Sequence, residues 1–258
     1  MSLNLAIKEA NNKGVLGLMV YVIPNFPDPD IYQETLEILN DNPYVTIIEI
    51  TFPVTSCFSE FANTTIQNAH RKAALFADGA SVLETLQPFK KPTVCVLYRE
   101  TFEKLGYETI LKKIQGKIDG LLFEWDIPDI ENYVQVSEHY DVELVQCAGS
   151  WMTEDEMSHS LSLAKEEPIV YLVSAPVTGG EIFSAEEIAA CVKNIKEHRP
   201  DAMIAAGFGI GNARDVEMMS RIKGLDAVII GTAFLKKMEQ GTTEVLAFLD
   251  EITPALKM

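Results

Sequence analysis

Ala205-Ala206-Gly207-Phe208-Gly209-Ile210-Gly211 is a short apolar run that stops at glycines, and Ile229-Ile230-Gly231-Thr232-Ala233 repeats this pattern further along the chain. Residues 203–206 and 227–230 lack the alternation of apolar and polar residues, which is typical of strands covered on both faces. Glycine at the carboxyl end of a strand lets the backbone turn tightly and lets another group approach its amides. A helical pattern follows each of the two turns.

Two such turns beside each other predict a phosphate-binding site, because several N–H groups and two helix dipoles would point at one place. In an eight-fold β/α barrel, the loops after the seventh and eighth strands are the usual location. The alternative is that the glycines only turn the chain, since one short glycine motif is a weak signal. The pair, late in the chain, favours the phosphate site.

Apolar runs and helical patterns alternate along the whole chain. Strands are predicted at residues 17–22, 45–51, 93–97, 120–123, 142–147, 169–173, 203–206 and 227–230. Helices are predicted at residues 31–40, 66–78, 101–114, 154–165, 185–198, 213–221 and 243–256, and Asp30 is the expected cap of the first. This alternation indicates a parallel sheet, either closed or doubly wound. Eight units and the paired late turns favour an α/β fold, a single (β/α)8 TIM barrel.

Length and composition agree with one domain over residues 1–258. The chain is 47% hydrophobic and 23% charged, and its length is close to the ~250 residues typical of one barrel. We find no Gly/Ser-rich linker or low-complexity segment that would divide it. No apolar run reaches the ~18 residues of a membrane span, and the start lacks a basic region followed by an apolar one. We therefore expect a cytoplasmic protein.

The charge and the cysteine pattern narrow the range of partners. The formal net charge is −17, from 38 acidic and 21 basic side chains. Such a surface repels nucleic acid and anionic membranes, so neither is expected as a partner. The four cysteines are scattered and predict neither a metal site nor a disulfide framework. The histidines fall on predicted helices without ligand spacing, and we expect all of them on the surface: His70, His139, His159 and His198.

Glu49 is the sharpest catalytic candidate, because it stands inside the second predicted strand between Ile48 and Ile50. Alternation would place it on the same face as Ile47 and Thr51. A carboxylate near the mouth of a barrel core loses hydration, which raises its pKa and suits it to proton transfer near neutral pH. The alternative is an outward-facing glutamate paired with a helix lysine, and the spacing alone leaves both open.

Other polar residues also follow predicted strands. Asp126 ends the fourth strand and is either a site residue or a loop or cap aspartate. Tyr98 and Tyr171 end or line the third and sixth strands, as core aromatics or as acid catalysts. Glu60 lies in the loop after the second strand, which exceeds the usual ~2–6 residues, and loops of that length are commonly lids or binding segments.

Short motifs occur along the chain in a characteristic order. They are Phe26-Pro27-Asp28-Pro29; Ile48-Glu49-Ile50 with Pro53; Thr65-Ile66-Gln67-Asn68-Ala69; Asp119-Gly120-Leu121-Leu122 leading to Asp126-Ile127-Pro128; Tyr171-Leu172-Val173-Ser174 leading to Val177-Thr178-Gly179; Gly207-Phe208-Gly209-Ile210; and Gly231-Thr232-Ala233. Each is weak alone, but in this order the chain resembles the alpha subunit of tryptophan synthase over nearly its full length. The resemblance implies a β/α barrel that cleaves indole-3-glycerol phosphate to indole and glyceraldehyde 3-phosphate, a retro-aldol reaction. It also implies no cofactor in this chain, and a pyridoxal-phosphate-dependent beta subunit as the partner that receives indole.

The resemblance also implies roles for individual residues. Glu49 matches the glutamate that moves protons at the indole C3 position and the glycerol hydroxyl, and Asp126 matches an aspartate near the active site. Tyr171 matches a strand-six tyrosine if the loop after it is one residue shorter here, and without that gap Val170 takes the position. Tyr21 and Tyr98 are assigned to the substrate pocket. The residues expected to bind phosphate are Gly179, Gly180, Gly207, Phe208, Gly209, Ile210, Gly231 and Thr232.

The loop after the second strand departs from the family pattern. In the family this loop carries an aspartate that holds the indole N–H and stabilises the positive charge on the ring. The loop is longer here than in the family. Counting back from Thr65-Ile66-Gln67 places Ala62 at the position of the aspartate, and Glu60 substitutes for the aspartate if the extra residues lie after Glu60. The same loop forms part of the family's contact with the beta subunit.

Three functions remain open on the sequence. The first is the lyase, with Glu49, Glu60, Tyr171 and Asp126 as catalytic candidates. The second is a divergent barrel that acts on another phosphorylated small molecule. The third is a catalytically silent barrel that binds a phosphorylated ligand or activates a partner subunit, because function depends on the site and not on the fold. An outward-facing Glu49 would support the third. A Glu60 carboxylate near Glu49 across the mouth of the barrel would support the first, and a Glu60 that points to solvent would count against it.

Overall fold

The structure, a computed structural model, describes residues 2–123, 128–175 and 177–258. Within these ranges, nine parallel strands form one sheet in the order β5-β4-β3-β2-β1-β9-β8-β7-β6. The strands are β1 (Gly17–Val22), β2 (Val45–Thr51), β3 (Thr93–Leu97), β4 (Gly120–Phe123), β5 (Glu143–Leu144), β6 (Gln146–Ala148), β7 (Ile169–Val173), β8 (Met203–Gly207) and β9 (Ala227–Ile230).

The two ends of this sheet are consecutive pieces of the chain. β5 pairs with β4 and β6 pairs with β7, and only Val145 separates them. The Val145 N–H donates to the Leu121 carbonyl at 2.8 Å, so the chain stays against β4 through the break. The predicted fifth strand covers both pieces, and the sheet closes through it. The TIM barrel prediction is confirmed, with the fifth strand in two parts.

Helices follow the strands and cover the outside of the barrel. They are α1 (Leu3–Asn11), α2 (Pro29–Asp41), α3 (Thr64–Ala73), α4 (Gly79–Thr85), α5 (Arg99–Leu105), α6 (Tyr107–Ile114), α7 (Ile130–His139), α8 (Glu154–Ser162), α9 (Ala185–His198), α10 (Ala213–Ser220), α11 (Thr232–Met238) and α12 (Thr242–Ile252), with a 3₁₀ turn at Thr253–Leu256. Of these described helices, none is long and apolar enough to cross a membrane.

Several helix boundaries differ from the sequence prediction. The predicted helix 101–114 is two helices, because Gly106 takes a φ of +76°, which ends α5 and begins α6. α1, α4, α7 and α11 lie outside the predicted helix ranges. Asp28, not Asp30, caps α2, since its Oδ1 accepts the Ile31 N–H at 3.0 Å. Pro29 is then the first helical residue, where its missing N–H is harmless.

The pairing of the first strands fixes the positions of two candidate residues. β1 lies between β2 and β9, with which it pairs on its two sides. Tyr21 is in register with Glu49, and Glu49 is in register with Val94 on β3. Side chains in register on neighbouring parallel strands share a face of the sheet. Tyr21 and Glu49 therefore point to the same side.

Candidate active site

A cavity of about 920 Å³ is lined by residues at the carboxyl ends of the strands and by the loops that follow them. The sequence-predicted residues that line it are Tyr21, Glu49, Glu60, Tyr98, Tyr171, Gly179, Phe208, Gly209, Ile210, Gly231 and Thr232. Gly180 and Gly207 are not lining residues, although both lie in the turns that shape it. Asp126 lies outside the described residues. Three predicted groups, catalytic, phosphate-binding and pocket, thus meet in one cavity.

Glu49 is buried, with 2% of its surface exposed, and its side chain lines the cavity. The structure thus places it on the inner face of the barrel and not on an outer, lysine-paired face. Loss of hydration raises the pKa of its carboxyl group to about 8. The group is therefore mainly protonated at neutral pH, so it can give a proton before it takes one.

Tyr171 on β7 is also buried against this cavity. Burial raises the pKa of its hydroxyl well above the ordinary value, and the nearby Glu49 charge raises it further. A Cβ atom at Gly207 would lie 2.5 Å from the Tyr171 hydroxyl oxygen, so only glycine leaves room for it. Tyr171 can therefore serve as a neutral hydrogen-bond donor, and Gly207 is needed for space.

Glycines let three turns approach one another at the other end of the cavity. Gly179 and Gly209 take φ values of +63° and +78°, which side chains other than glycine rarely adopt. A Cβ atom at Gly179 would lie 2.8 Å from Cγ2 of Thr232. One at Gly209 would lie 3.0 Å from the Cα of Ile182 and 3.1 Å from the Gly180 carbonyl. The turns after β7, β8 and β9 are in contact because these positions lack side chains.

Thr232 supplies an unsatisfied polar group at this end. Its Oγ1 is buried and has no hydrogen-bond partner among the described residues. Buried hydroxyl groups normally have partners, because leaving one unpaired costs about 1–3 kcal/mol. Thr232 is also the first residue of α11, which has no side-chain cap. A hydrogen-bond acceptor brought by a ligand would satisfy this hydroxyl.

The second helix start near these turns is different. Asn212 Oδ1 accepts the N–H groups of Arg214 and Asp215 at 2.9 and 3.1 Å. Asp215 Oδ2 accepts the Gly211 N–H at 2.8 Å. The first amides of α10 are thus satisfied by its own side chains, and the expectation of two open helix N-termini is wrong on this point. The donors left for a ligand come from the glycine turns and Thr232.

Two loops are joined beside the cavity. The N–H and the hydroxyl of Thr178, in the loop after β7, both donate to the Phe61 carbonyl at 2.9 Å. The Asn63 N–H donates to Thr178 Oγ1 at 2.9 Å. The Phe61 ring lies against Trp151 and Phe208, with centroids 6.0 and 6.3 Å apart. The long loop after β2 is therefore attached to the loop that carries Gly179.

The acidic candidate in the long loop lies at the open edge of the cavity. Glu60 is exposed to solvent and also lines the cavity. Ala62, which takes the position of the family's aspartate when the two loops are aligned, is buried and lines the cavity as well. Glu100 holds the start of this loop, because its Oε2 accepts the N–H groups of Thr55 and Ser56 at 2.9 and 2.7 Å.

His70 is a polar residue near the site that the sequence analysis missed. It was expected on the surface, but it is fully buried. Its Nδ1 accepts the Val54 N–H at 3.2 Å, and its Nε2 lies 3.0 Å from the Tyr21 hydroxyl oxygen. Burial lowers its pKa to about 3, so it stays neutral. The helical spacing of the apolar residues could have predicted this burial, since His70 lies on the same buried face of α3 as Ile66 and Ala69.

Metal ligation has no support in the described part of the chain. There, no group of three or more His, Cys, Asp or Glu residues is placed to hold a metal ion. His159 lines the cavity, but its Nε2 is paired with Glu131 at 3.1 Å.

Comparison with known sequences identifies one family. The profile of the family described as tryptophan synthase alpha chain matches residues 7–254. The tryptophan synthase alpha chain of Caldicellulosiruptor bescii is 25% identical over 265 residues, which cover 97% of this chain and 95% of that one. The alpha chain of Thiobacillus denitrificans is 27% identical over 244 residues, which cover 91% and 85%.

Comparison with solved structures agrees on the fold. Tryptophan synthase subunit alpha from Campylobacter jejuni is 24% identical and superposes with a TM-score of 0.76, covering 92% of this chain and 95% of that chain. A structure of Mycobacterium tuberculosis tryptophan synthase is 16% identical, with a TM-score of 0.83 and coverage of 99% and 98%. At these identities the likeness concerns the fold, which is shared along the whole chain.

Proposed function

The chain belongs to the tryptophan synthase alpha chain family, and we propose that it cleaves indole-3-glycerol phosphate to indole and glyceraldehyde 3-phosphate. The family supports a lyase in general, and the site supports this reaction in particular. The observation that carries the proposal is that Glu49, with its raised pKa, shares one cavity with the unpaired hydroxyl of Thr232. One end of the cavity thus offers a proton donor and the other a place for an anion.

The proposed chemistry uses Glu49 first as an acid and then as a base. The carboxyl group gives its proton to C3 of the indole ring, which becomes cationic. The resulting carboxylate takes the proton of the glycerol hydroxyl while the bond between C3 and the side chain breaks. The electron pair of that bond returns to the ring, and the hydroxyl carbon becomes an aldehyde. Glu49 is again protonated, so one carboxyl group completes the cycle.

The substrate phosphate is assigned to the glycine turns. The Thr232 hydroxyl would donate to it, and the turns around Gly179, Gly209 and Gly231 would bring backbone N–H groups to its oxygens. The chain as a whole is strongly acidic, so local dipoles and not net charge have to attract the phosphate. This is the arrangement expected at the late loops of a β/α barrel.

The remaining catalytic candidates take supporting roles in this proposal. Tyr171 stays neutral and would donate a hydrogen bond beside Glu49. Glu60, at the open edge of the cavity, would place a negative charge near the cationic ring when the loop closes. Asp126 keeps the role that the family resemblance implies, an aspartate near the substrate. No cofactor is needed for this reaction.

We also propose that the indole passes to a pyridoxal-phosphate-dependent beta subunit. The long loop after β2, which forms part of that contact in the family, is held at its start by Glu100 and at its end by Thr178. A loop held at both ends is suited to link a partner surface with the cavity. Addition of a beta subunit is therefore expected to raise indole release.

Action on another phosphorylated small molecule is the second candidate. The observation that favours it is Ala62, an apolar residue at the position of the family's ring-binding aspartate, together with the exposure of Glu60. Under this alternative, Glu49 and the phosphate turns keep their roles and the leaving group is not indole. Cleavage of the indole substrate separates the two candidates.

The test is release of indole from indole-3-glycerol phosphate by the purified chain, alone and with a beta subunit. Glu49→Gln is expected to lower kcat by about 10²–10⁴, the usual contribution of general acid–base catalysis. Glu60→Ala is expected to lower kcat less, because an exposed charge acts through solvent. Glu143→Gln is the matched control, since Glu143 is buried outside the cavity, where it pairs with Lys165 at 2.9 Å.

The outcomes are distinct. Turnover in the wild type and in Glu143→Gln, but not in Glu49→Gln, supports the lyase. No indole from the wild type under either condition overturns it and leaves the second candidate. Equal turnover in Glu49→Gln and the wild type would remove Glu49 from the mechanism.

A further inference from the structure

The cavity extends beyond the inside of the barrel. Cys147 on β6 is in register with Tyr171 on β7, and both line the cavity near Glu49. Gln146, the residue before Cys147, also lines the cavity, although consecutive residues of a strand point to opposite faces of the sheet. Its side chain points outward to α8, since its Oε1 accepts the Ser160 hydroxyl at 3.2 Å. The cavity therefore has one part on each side of β6.

The part outside the barrel wall, the outer pocket, lies between the sheet and the helices α7 and α8. Its lining residues are Ile130, Leu144, Gln146, His159, Ser160 and Leu163. Leu144 and Gln146 are buried. On the solvent side, His159 Nε2 lies 3.1 Å from Glu131 Oε1, a contact that joins α8 to α7. The sheet, the two helices and this contact thus bound a pocket that is continuous with the inside of the barrel.

The division of the fifth strand explains why the two parts connect here. β5 pairs with β4 and β6 pairs with β7, and among the residues that the structure describes no ladder joins β4 to β6. Paired strands lie about 4.8 Å apart, which leaves no passage between them. Leu122 of β4 and Cys147 of β6 both line the cavity. The connection between the inside and the outer pocket therefore coincides with the division of the strand.

The polar groups of the outer pocket have fixed hydrogen-bonding roles. Gln146 Nε2 donates to the Leu144 carbonyl at 3.0 Å, so the amide oxygen is the atom that faces Ser160. An amide oxygen can only accept, and the Ser160 hydroxyl therefore gives its hydrogen to Gln146. Towards a ligand in the pocket, the Ser160 oxygen can act only as an acceptor.

The outer pocket matches one class of ligand. Three of its lining side chains, Ile130, Leu144 and Leu163, are apolar, and the Ser160 oxygen supplies an acceptor. Binding pockets for small molecules are mostly apolar, with a few polar groups that fix the orientation of the ligand. Among the described lining residues there is no lysine or arginine that would hold an anion. A flat apolar molecule with one N–H therefore fits, and indole is such a molecule.

We propose that the outer pocket is a second binding site for indole, separate from the place where the substrate ring reacts at Glu49. That indole is the natural ligand rests on the proposed function, which releases indole into this cavity. Once the bond to the glycerol side chain is broken, the ring is no longer tied to the phosphate, and an apolar pocket beside it is favourable. The outer pocket thus holds released indole while glyceraldehyde 3-phosphate is still bound at the glycine turns.

The first test uses indole as the probe and a non-cleavable indole-3-alkyl phosphate to occupy the inside of the barrel. Protein saturated with the phosphate ligand is titrated with indole, and the methyl signals of Ile130 and Leu163 are followed by NMR. Both signals are expected to shift saturably and to show nuclear Overhauser effects to the indole protons. Displacement of indole by the phosphate ligand, with no effect at these methyl groups, would overturn the proposal.

Substitutions on α8 test the recognition of the ring N–H. Ser160→Ala is expected to weaken indole binding to the saturated protein by about 3–10-fold, the value of one neutral hydrogen bond. Benzothiophene, in which sulfur replaces the ring N–H, is expected to bind the variant and the wild type alike. Ser158→Ala is the matched control, because Ser158 is exposed on the same helix and does not line the cavity. An equal loss for the two ligands, or an equal loss in the control, would overturn the assignment.

Leu163→Trp tests the location of the site by volume. The larger side chain is expected to fill the outer pocket and to weaken indole binding about tenfold or more. The affinity for the phosphate ligand should stay the same, which also shows that the variant is folded. Unchanged indole binding in a folded Leu163→Trp protein would place indole elsewhere and overturn the proposal.

The proposed function and this inference fail in different ways. A wild type that does not cleave indole-3-glycerol phosphate but binds indole against Ile130 and Leu163 would remove the proposed function alone. Normal cleavage without indole at these residues would remove this inference alone. The methyl contacts are measured without turnover, and in the free protein as well as in the saturated one, so the two results are independent.

Discussion

The two ends of the cavity are built in different ways. The end proposed to bind phosphate, the phosphate end, consists of backbone from the turns after β7, β8 and β9, with Thr232 as its one polar side chain without a partner in the described chain. The end proposed to bind the substrate ring, the ring end, consists of side chains from separate elements, Tyr21 on β1, Glu49 on β2 and Tyr98 after β3. We expect the phosphate end to be disrupted by any side chain added at its glycines, and the ring end by substitutions that change the chemical group of a side chain.

This difference has consequences for how each end fails. A side chain at Gly179 or Gly209 would collide with the neighbouring turn, whatever its chemistry. A substitution of Glu49 or Tyr21 can keep the shape and remove only a proton or a hydroxyl. We therefore expect variants of the phosphate end to change KM and stability, and variants of the ring end to change kcat, pH dependence or ligand preference.

The largest expected effect is the pH dependence of kcat/KM. The proposed mechanism starts from protonated Glu49, whose pKa is raised to about 8. Half of the groups are protonated at pH 8 and about 1% at pH 10, so kcat/KM is expected to fall about 50-fold between these two pH values. Indole release measured across this range at low substrate concentration gives the profile.

Thr232→Val provides the comparison for this profile. It removes the unpaired hydroxyl at the phosphate end and is expected to raise KM about tenfold. The same inflection near pH 8 should remain, because Glu49 is untouched. A flat profile in the wild type, or an inflection that disappears in Thr232→Val, would contradict the separation of the two ends.

The second effect concerns stability. The Glu49 carboxyl group has an ordinary pKa of 4.5 and a pKa of about 8 in the folded protein. The folded state therefore holds more protons than the unfolded state between these values, and stability falls as the pH rises through them. Glu49→Gln removes this loss and is expected to be about 1–3 kcal/mol more stable than the wild type at pH 9.

Urea denaturation at pH 5 and pH 9 measures this difference. Near pH 5 the gain should be small, because most of the wild-type loss occurs at higher pH. Glu143→Gln should behave in the opposite way and lose stability at pH 9, since it breaks the pair with Lys165. A Glu49→Gln protein that is equally stable at both values relative to the wild type would contradict the raised pKa.

The turns of the proposed phosphate end were predictable because glycine itself is the signal. Gly207 and Gly231 each follow an apolar run, and the structure places them at the ends of β8 and β9, with Gly209 two residues after Gly207. Glu49 could be identified from the sequence for a similar reason, because it is a charged residue within an apolar strand. The strands were also predictable, since a strand covered on both faces is a continuous apolar run.

The rest of the ring end was not predictable from local patterns. The Tyr21–His70 pair joins residues of β1 and α3, and its partner Val54 belongs to a loop without periodic structure. For a histidine on a helix, only the spacing of its apolar neighbours in the sequence indicates whether the side chain is buried or lies on the surface. The division of helix 101–114 at Gly106 also depended on a left-handed turn that glycine permits but does not require.

The third prediction tests how strictly the phosphate end excludes side chains. Gly209→Ala places a Cβ atom 3.0 Å from the Ile182 Cα in a left-handed conformation with φ of +78°. We expect a loss of about 2–3 kcal/mol in unfolding free energy, together with a raised KM. Gly14→Ala is the control, because Gly14 has a φ of +73° with nothing within 4 Å. Equal losses in the two variants would show that backbone strain alone explains the effect.

The smallest expected effect concerns the contact that joins the loop after β7 to the loop after β2. Thr178→Val removes the hydroxyl that donates to the Phe61 carbonyl and accepts from the Asn63 N–H, whereas the Thr178 N–H still donates to Phe61 at 2.9 Å. With one of the donors kept, the loss in unfolding free energy should be about 0.5–1.5 kcal/mol. Hydrogen exchange should become faster in residues 177–182 and 61–63 but not in β8.

The kinetic result of Thr178→Val decides whether the two ends act independently. If the loop after β2 positions Glu60 through this contact, we expect kcat to fall a few-fold and KM to rise. Thr55→Val is the control, since Thr55 lies in the same loop but its hydroxyl contacts Glu100 on α5 and not the loop after β7. A change in KM alone would mean that the contact serves the phosphate end only. The ring end would then depend on Glu49, because this residue lies on β2 and not on the loop.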